Sequence, residues 1–234
     1  MCGRFGQFNA PELMAEVLNL KERPVVTPRY NVAPGQSVAF IRRPSDSQGL
    51  EMALLRWGLI PAWLNIPPQA ARMINVRLET ARQKPAFKRA LKERRGLFPV
   101  DGFYEWSKRG RTKKPYYFHL KDGAPLALAG LWEKWIGSEG ETIQSCAILT
   151  TSSNDLVKPI HDRMPVILTG DVVGLWLNYE YSLDDLLNAL TESPFPAESM
   201  QVRPVSSYVN KPENEGPRCL EPWSEDQFSF PILG

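Results

Sequence analysis

Short apolar runs separated by turn-forming residues dominate the chain. Their lengths and their content of β-branched and aromatic residues are typical of strands. The predicted strands are 37–42, 51–59, 97–106, 115–120, 127–135, 142–150, 164–168 and 201–205. Because 21 prolines and 16 glycines are scattered along the sequence, we expect many short elements joined by shaped turns.

Helical patterns are fewer. Residues 9–12 (Asn-Ala-Pro-Glu) are typical of a helix start, where proline and acidic side chains are tolerated or favoured. Residues 84–95 are amphipathic, with three apolar side chains on one face and mainly basic ones elsewhere. Two shorter candidates are 171–177 and 183–190. Since strands and helices do not alternate regularly, the sequence predicts an α+β fold with a mainly antiparallel, barrel-like sheet and flanking short helices.

Composition narrows the class of protein. The 234 residues are 43% hydrophobic and 23% charged, which is ordinary for a globular domain, and a net charge of +2 does not identify a nucleic-acid binder. We expect one domain over 2–210 and an irregular tail over 211–234, which is rich in Pro, Glu and Asn. No run approaches the ~20 apolar residues of a membrane span. Three widely spaced cysteines favour a reducing compartment, so we expect a cytoplasmic protein.

Cys2 is the first candidate for chemistry. Removal of Met1 would leave Cys2 with an α-amine and a thiol on adjacent carbons. In unperturbed form these groups have pKa values near ~8 and ~8.5, so both have a reactive fraction at neutral pH. Such an amine can condense with an aldehyde, and the thiol can then close a thiazolidine ring. The alternative is that Cys2 is simply the residue after the start.

Two strand-like segments carry unusual polar side chains. Asn75 and Arg77 alternate, as on one face of an extended segment; Asn75 could hold an amine, and Arg77 could bind a phosphate. Glu105 lies between two aromatics, and an inward-facing carboxylate there would suit general acid or base catalysis. The alternatives are a strand-to-helix junction for the first segment and a solvent-facing glutamate for the second.

A third segment centres on His161, one of only two histidines. The adjacent Asp162 could fix its tautomer, and Arg163 offers a bidentate contact to phosphate. A loop histidine beside a helix or turn cap is the alternative. With two histidines and no C-x-x-C pair, we expect no metal site.

Two basic runs, 84–95 and 108–114, could lie along a phosphate backbone. Such runs are more often solvated surface. We assign Trp132, Trp135 and His119 to packing.

Six segments, in order, resemble the SOS response-associated peptidase (SRAP) family. They are Met-Cys-Gly-Arg at 1–4, Arg-Tyr-Asn-Val-Ala-Pro-Gly at 29–35, Arg-Trp-Gly-Leu-Ile-Pro at 56–61, Asn-Val-Arg-Leu-Glu-Thr at 75–80, Gly-Phe-Tyr-Glu-Trp at 102–106 and Ile-His-Asp-Arg-Met-Pro at 160–165. The resemblance implies the SRAP fold and covalent, lyase-like crosslinking that protects abasic sites in single-stranded DNA. It also implies a peptidase activity that could be autoproteolytic.

The resemblance implies a role for each matched catalytic position. Cys2 would be the crosslinking residue, and Asn75 would lie near the amine and the sugar. Glu105 would be the catalytic acid or base, and His161 would lie beside the opened sugar.

The implied DNA contacts are three arginines and one aromatic. Arg4, Arg77 and Arg163 match positions that hold phosphates, and Trp63 lies in the loop that wedges against bases. The family's paired aromatics are Trp63-Leu64 here, and the usual alanine after the motif asparagine is Val76.

The predicted function is a covalent sensor of abasic sites in single strands and junctions. The Cys2 amine attacks the open-chain aldehyde and its thiol closes the thiazolidine, at a high effective concentration because both belong to one residue. Glu105 or His161 opens the sugar ring, and Glu105 moves the proton. Because phosphate contacts carry no sequence information, we expect sequence-independent binding by a monomer without a cofactor and without membrane association.

Two other classes of protein stay open. N-terminal-cysteine amidohydrolases also begin Met-Cys-Gly, although no other segment of theirs is present. A non-covalent reader of damaged single-stranded DNA would use the same arginines and the Trp63 loop, and Cys2→Ala would leave its function intact. Met1 could be removed by the Cys2 site itself or by a host aminopeptidase.

Overall fold

Strands form most of the molecule. The computed structural model describes residues 2–44, 49–64, 73–107, 113–192 and 194–224. Within these ranges the strands are β1 (Arg4–Gln7), β2 (Arg29–Val32), β3 (Ser37–Arg42), β4 (Glu51–Trp57), β5 (Asn75–Arg77), β6 (Arg95–Val100), β7 (Gly102–Ser107), β8 (Lys114–Leu120), β9 (Leu126–Ile136), β10 (Thr142–Ser152), β11 (Arg163–Pro165), β12 (Ile167–Leu168) and β13 (Met200–Pro204). The helices are α1 (Ala10–Val17), α2 (Pro85–Glu93), α3 (Gly170–Leu177) and α4 (Leu183–Glu192), with short 3-10 turns at Leu78–Thr80, Ala197–Ser199, Ser207–Asn210 and Pro217–Leu220.

Five of the strands close a barrel. The order β10-β4-β3-β6-β9 returns to β10, with every pair antiparallel except β4 and β10. β5 and β11 extend this sheet from β10, and β12 extends it from β9. Closure removes the exposed edges that an open sheet of these apolar strands would have.

A second, open sheet packs against the barrel. Its order is β13-β8-β7-β1-β2, and all of its pairs are antiparallel. Phe5 on β1 joins the two layers, since its ring centroid lies 4.7 Å from that of Trp57 and 5.9 Å from that of Phe98. The contact between barrel and sheet is therefore a fully buried aromatic cluster.

The helices enclose the opposite side of the barrel. The apolar face predicted for α2 is buried as expected, through Phe87, Ala90 and Leu91. Arg95 is only 1% exposed, and its guanidinium donates hydrogen bonds to the carbonyls of Trp176 and Asn178, both at 2.7 Å. A cation at the C-terminal end of α3 satisfies carbonyls that the helix leaves unpaired.

The predicted α+β class with a mainly antiparallel, barrel-like sheet is confirmed. Two predicted strands were wrong in their extent. The predicted strand 97–106 is two strands, β6 in the barrel and β7 in the open sheet, separated at Asp101. The predicted strand 164–168 is likewise β11 and β12, which pair with β10 and β9 respectively. In both cases the two halves of one apolar run pair with different strands. A hydrophobic pattern does not show which strand each half pairs with.

Residues 211–224 lie against the open sheet. The side-chain amide of Asn31 on β2 donates to the carbonyls of Lys211 and Asn214, at 2.9 and 2.8 Å, and Cys219 is buried. The domain boundary at residue 210 stays a prediction. Within the described residues, no helix is long and apolar enough to cross a membrane.

Asp101 caps helix α1 from a distant turn. Its carboxylate accepts hydrogen bonds from the backbone N–H groups of Phe8 (2.7 Å), Asn9 (3.1 Å) and Ala10 (3.1 Å), whereas Asn9, the residue at the cap position, makes no side-chain cap bond. The turn between β6 and β7 thus holds the chain between β1 and α1.

We expect Asp101→Ala to lower the free energy of unfolding by about 1–3 kcal/mol, because it leaves three N–H groups at a helix start without their acceptor. Urea unfolding followed by circular dichroism measures this change. Asp171→Ala, in the exposed first turn of α3, is the control. Equal stability of the two variants would contradict the capping role.

Candidate functional site

Cys2 lies just before β1, at the contact between barrel and sheet. Its side chain is fully buried within the aromatic cluster around Phe5 and Trp57. The side-chain amide of Asn75 donates to the Cys2 carbonyl at 2.9 Å. Asn75 begins β5, which runs parallel to β10 with Asn75 opposite Ile148. The barrel sheet therefore brings the predicted amine-orienting residue to Cys2.

Glu105 faces inward from β7. It lies two residues after Phe103 and therefore on the same face of the strand. Phe103 is buried in the aromatic cluster, and Glu105 itself is only 4% exposed. The register pairs Arg4 of β1 with Tyr104, so the residues next to them, Gly3 and Glu105, are neighbours. A solvent-facing strand residue, the alternative considered for this carboxylate, does not match such burial.

Gly102 explains how β7 reaches this position. A Cβ atom at Gly102 would lie 2.4 Å from the carbonyl oxygen of Phe118 on β8 and equally close to the Tyr117 ring. Only glycine permits so close an approach. β7 can therefore pack directly against Tyr117 of β8. In this position the side chain of Glu105 is close to Cys2.

Burial dominates the ionisation of the Cys2 thiol. Desolvation raises its pKa well above the usual range, and the negative charge of Glu105 raises it further. The thiol is consequently neutral at pH 7 in this state.

His161 ends a turn that follows β10. Its side chain is 14% exposed, and its Nδ1 lies 2.9 Å from both the backbone N of Arg163 and Oδ1 of Asp162. Nδ1 accepts a hydrogen bond from the Arg163 N–H when it is unprotonated, and donates to Asp162 when it is protonated. Because Nδ1 has a hydrogen-bond partner in either protonation state, Nε2 is the ring nitrogen that would exchange a proton with a ligand.

Glu105 and His161 line one cavity. Its volume is about 490 Å³, within the range of small-molecule sites. The lining residues are Gly3, Arg4, Glu105, Trp106, Ser107, Lys113, His161 and Asn210. Cys2 and Asn75 are not in the wall but lie directly behind it, through Gly3 and the Asn75–Cys2 hydrogen bond. The structure thus brings all four predicted catalytic residues to one place.

The predicted phosphate-binding arginines differ in their availability. Arg77 is exposed. Arg4 lines the cavity, but its Nη1 donates to Oδ1 of Asn31 at 2.6 Å and to the Val209 carbonyl at 3.0 Å, and burial lowers the pKa of its guanidinium. Arg163 is bound to Glu79. Two of the three guanidinium groups therefore have internal partners.

Trp63 is 61% exposed, as a side chain that contacts bases requires. The next residue, Leu64, turns inward and packs with Ile60 and Trp135, and the Trp135 indole N–H donates to the Leu64 carbonyl at 2.7 Å. Trp135, assigned to packing from the sequence, therefore also anchors the loop that carries Trp63. The remainder of that loop, and the basic run at 108–112, lie outside the described residues.

Sequence reasoning missed several residues that build the site. Asn154 supports the His161 turn: its Oδ1 accepts from the Val157 N–H at 3.1 Å, and its Nδ2 donates to the Phe195 carbonyl at 2.8 Å. Trp106 lines the cavity and donates to Oδ1 of Asn210 at 2.7 Å. A buried asparagine in a turn has no distinctive local pattern, so the sequence offered no signal for Asn154.

The described residues contain no group of three or more His, Cys, Asp or Glu side chains arranged to hold a metal.

Comparison with known proteins identifies related sequences. The sequence model described as SOS response associated peptidase (SRAP) matches residues 1–212. Abasic site processing protein YoqW of Bacillus subtilis is 40% identical over 225 residues, covering 94% of this chain and 99% of YoqW. Abasic site processing protein YedK of Escherichia coli is 31% identical over 95% of this chain and 100% of YedK. Abasic site processing protein HMCES of Xenopus tropicalis is 33% identical over 82% of this chain, which spans 65% of HMCES.

Solved structures share the fold. A Bacteroides thetaiotaomicron protein has a TM-score of 0.83 at 26% identity, covering 95% of this chain and 100% of its own. A phage-related protein of Bordetella bronchiseptica has a TM-score of 0.71 at 31% identity, covering 92% of this chain and 99% of its own. The architecture described above is therefore also found in experimental structures.

We expect the thiols of the folded protein to resist alkylation at pH 8. Burial raises the pKa of Cys2 and Cys146 well above the usual range and that of Cys219 to about 11, so little thiolate is present and access is restricted. Peptide mapping by mass spectrometry after a brief iodoacetamide pulse reports each cysteine separately. The same pulse in urea is the control and should label all three. Rapid labelling of Cys2 in the folded protein would contradict its burial.

Proposed function

The chain belongs to the SOS response associated peptidase (SRAP) family, and we propose on this basis that it processes abasic sites in single-stranded DNA by covalent capture at Cys2. The observation that supports the proposal most directly is the convergence of Cys2, Asn75, Glu105 and His161 at one cavity. These residues lie on four separate segments of the chain.

Loss of Met1 would convert the peptide nitrogen of Cys2 into an α-amine. The Oδ1 atom of Asn75 is buried and has no hydrogen-bond partner among the described residues, while the Nδ2 atom of Asn75 holds the Cys2 carbonyl. A buried acceptor without a donor is unfavourable. We infer that the Cys2 amine supplies that donor, which would aim its lone pair at the cavity.

The reaction would proceed in two balanced steps. The amine adds to the aldehyde of the ring-opened abasic site and loses one water to form an imine. The thiol sulfur then bonds to the imine carbon while the thiol proton passes to the nitrogen, which closes the thiazolidine. Because the thiol is neutral in the folded state, it needs a base, and Glu105 is near enough for its charge to raise the Cys2 pKa.

His161 would act on the sugar from the same cavity. Its Nδ1 is engaged by Arg163 and Asp162, so Nε2 would exchange the proton that opens the ring. Arg77 and Trp63 are exposed and would bind phosphate and bases. Binding of this kind would not depend on base sequence.

We expect purified protein to form a heat-stable adduct with single-stranded DNA carrying one abasic site, seen as a shifted band on a denaturing gel. Cys2→Ser keeps the amine but lacks the thiol, so its adduct should survive heating only after borohydride reduction of the imine. A variant with an uncleaved residue before Cys2 should form no adduct. If wild-type protein with a confirmed Cys2 terminus forms no band, covalent capture is wrong and a non-covalent reader becomes the better hypothesis.

The same site could release Met1. Glu105 lies close to Cys2, whose peptide nitrogen carries Met1, and we propose that Glu105 supports self-processing. Mass spectrometry of intact Glu105→Gln protein should then show retained Met1, while Glu221→Gln, an exposed glutamate outside the cavity, should lose it normally. Complete Met1 removal from Glu105→Gln would assign the step to a host aminopeptidase.

A further inference from the structure

A bidentate ion pair joins the segment of Asn75 to the segment of His161. Nη1 and Nη2 of Arg163 donate to Oε1 and Oε2 of Glu79 at 2.6 and 2.9 Å. Glu79 lies four residues after Asn75, and Arg163 lies two residues after His161. The pair therefore bridges two segments that are more than 80 residues apart in sequence.

The bridge is also fixed to the barrel. Nη2 of Arg163 donates to the Thr150 carbonyl at 2.7 Å. Thr150 belongs to β10, where it pairs with Arg77 of β5 on one side and with Pro165 of β11 on the other. One guanidinium thus connects the 3-10 turn after β5 with β10 and β11.

The pair is better shielded than an ordinary surface ion pair. The Arg163 side chain is 12% exposed and that of Glu79 is 33% exposed. Burial alone would raise the pKa of the Glu79 carboxyl, but hydrogen bonds from Arg163 and from the Glu79 backbone, together with the charges of Arg163 and Arg77, outweigh this and hold that pKa below its usual range. The carboxylate therefore stays charged at neutral pH, and the pair is lost only as the pH falls through this lowered pKa.

Arg163 acts on His161 through its own backbone. The N–H group of Arg163 lies 2.9 Å from His161 Nδ1, so the position of Arg163 sets the orientation and tautomer of the ring. Both terminal nitrogens of Arg163 already donate to protein acceptors, and one N–H of Nη1 is left for a DNA phosphate.

We propose that Glu79 is a positioning residue that, through Arg163, holds His161 and Asn75 in a fixed arrangement around Cys2. This inference rests on the proposed function.

The test separates binding from chemistry. Wild type, Glu79→Gln, Arg163→Lys and the double variant are compared in two assays. The first gives the dissociation constant for single-stranded DNA that carries a tetrahydrofuran abasic analogue, which cannot open to an aldehyde. The second gives the rate constant of covalent capture at saturating DNA with a true abasic site. Asp184→Asn is the matched control, because it removes a 2.6 Å Arg–carboxylate pair away from the cavity.

We expect Glu79→Gln and Arg163→Lys to slow capture roughly ten- to hundredfold, as a small displacement of a catalytic group can, and Glu79→Gln to leave the dissociation constant unchanged. The double variant should be no slower than the slower single variant, because both remove one bridge. Arg163→Lys keeps the positive charge but loses the planar fork that holds Glu79.

Two results would overturn the proposal. One is an unchanged capture rate in Glu79→Gln. The other is tighter DNA binding by Glu79→Gln, since that would make Glu79 a competitor of phosphate at Arg163. If wild type itself captures no DNA, the proposed function fails, and nitrogen NMR of the imidazoles still decides on positioning. In that spectrum Glu79→Gln should shift the His161 signals and leave those of His119 in place, and unmoved His161 signals would refute the role.

Discussion

The antiparallel pairing of β1 with β7 is the constraint on which the site depends. It sets Phe5 opposite Phe103 and Arg4 opposite Tyr104, and so helps to hold the side chains of Cys2 and Phe5 in the interior. Chain termini are usually exposed and poorly ordered unless they are tied down. Here the aromatic contact of Phe5 with Trp57 and Phe98, and the close approach allowed by Gly102, tie the terminus down between two sheets. Cys2 and Glu105 are neighbours because of this pairing.

Charge at the site is organised mainly by internal partners. Arg4 is held by Asn31 and the Val209 carbonyl, and Arg163 is held by Glu79 and Thr150. A guanidinium that is fixed by several acceptors loses little further entropy when a ligand arrives, but it also has fewer free donors. The exposed Arg77 and Trp63 therefore differ in kind from these two arginines. The two exposed side chains can change rotamer, whereas those of Arg4 and Arg163 are held in place by their acceptors.

Local sequence patterns predicted the positions of strands and helices better than they predicted which strands pair with each other. The fold class, the buried face of α2 and most strand positions could be predicted, because each depends on hydrophobic period within a short window. The divisions at Asp101 and between β11 and β12 could not, since they depend on which distant strand pairs with which half of an apolar run. Cys2, Asn75, Glu105 and His161 were proposed from residue type and family resemblance, and their proximity could be seen only in the fold. Glu79 shows that sequence reasoning does not predict long-range side-chain partners. Its position in a family motif did not reveal that its partner is Arg163.

The contacts of Arg4 and Asn31 with residues 209–214 have a consequence for the timing of protein synthesis. Cys2 and Arg4 are synthesised about 200 residues before Val209, whose carbonyl holds the Arg4 guanidinium. At roughly 5–20 residues per second the interval is on the order of 10–40 s. For much of that time Cys2 has neither its β7 neighbour nor its enclosing wall in place. Under the proposed function, a nascent chain would therefore carry Cys2 without the residues that direct it, and covalent capture would become possible only when translation of the domain is nearly finished.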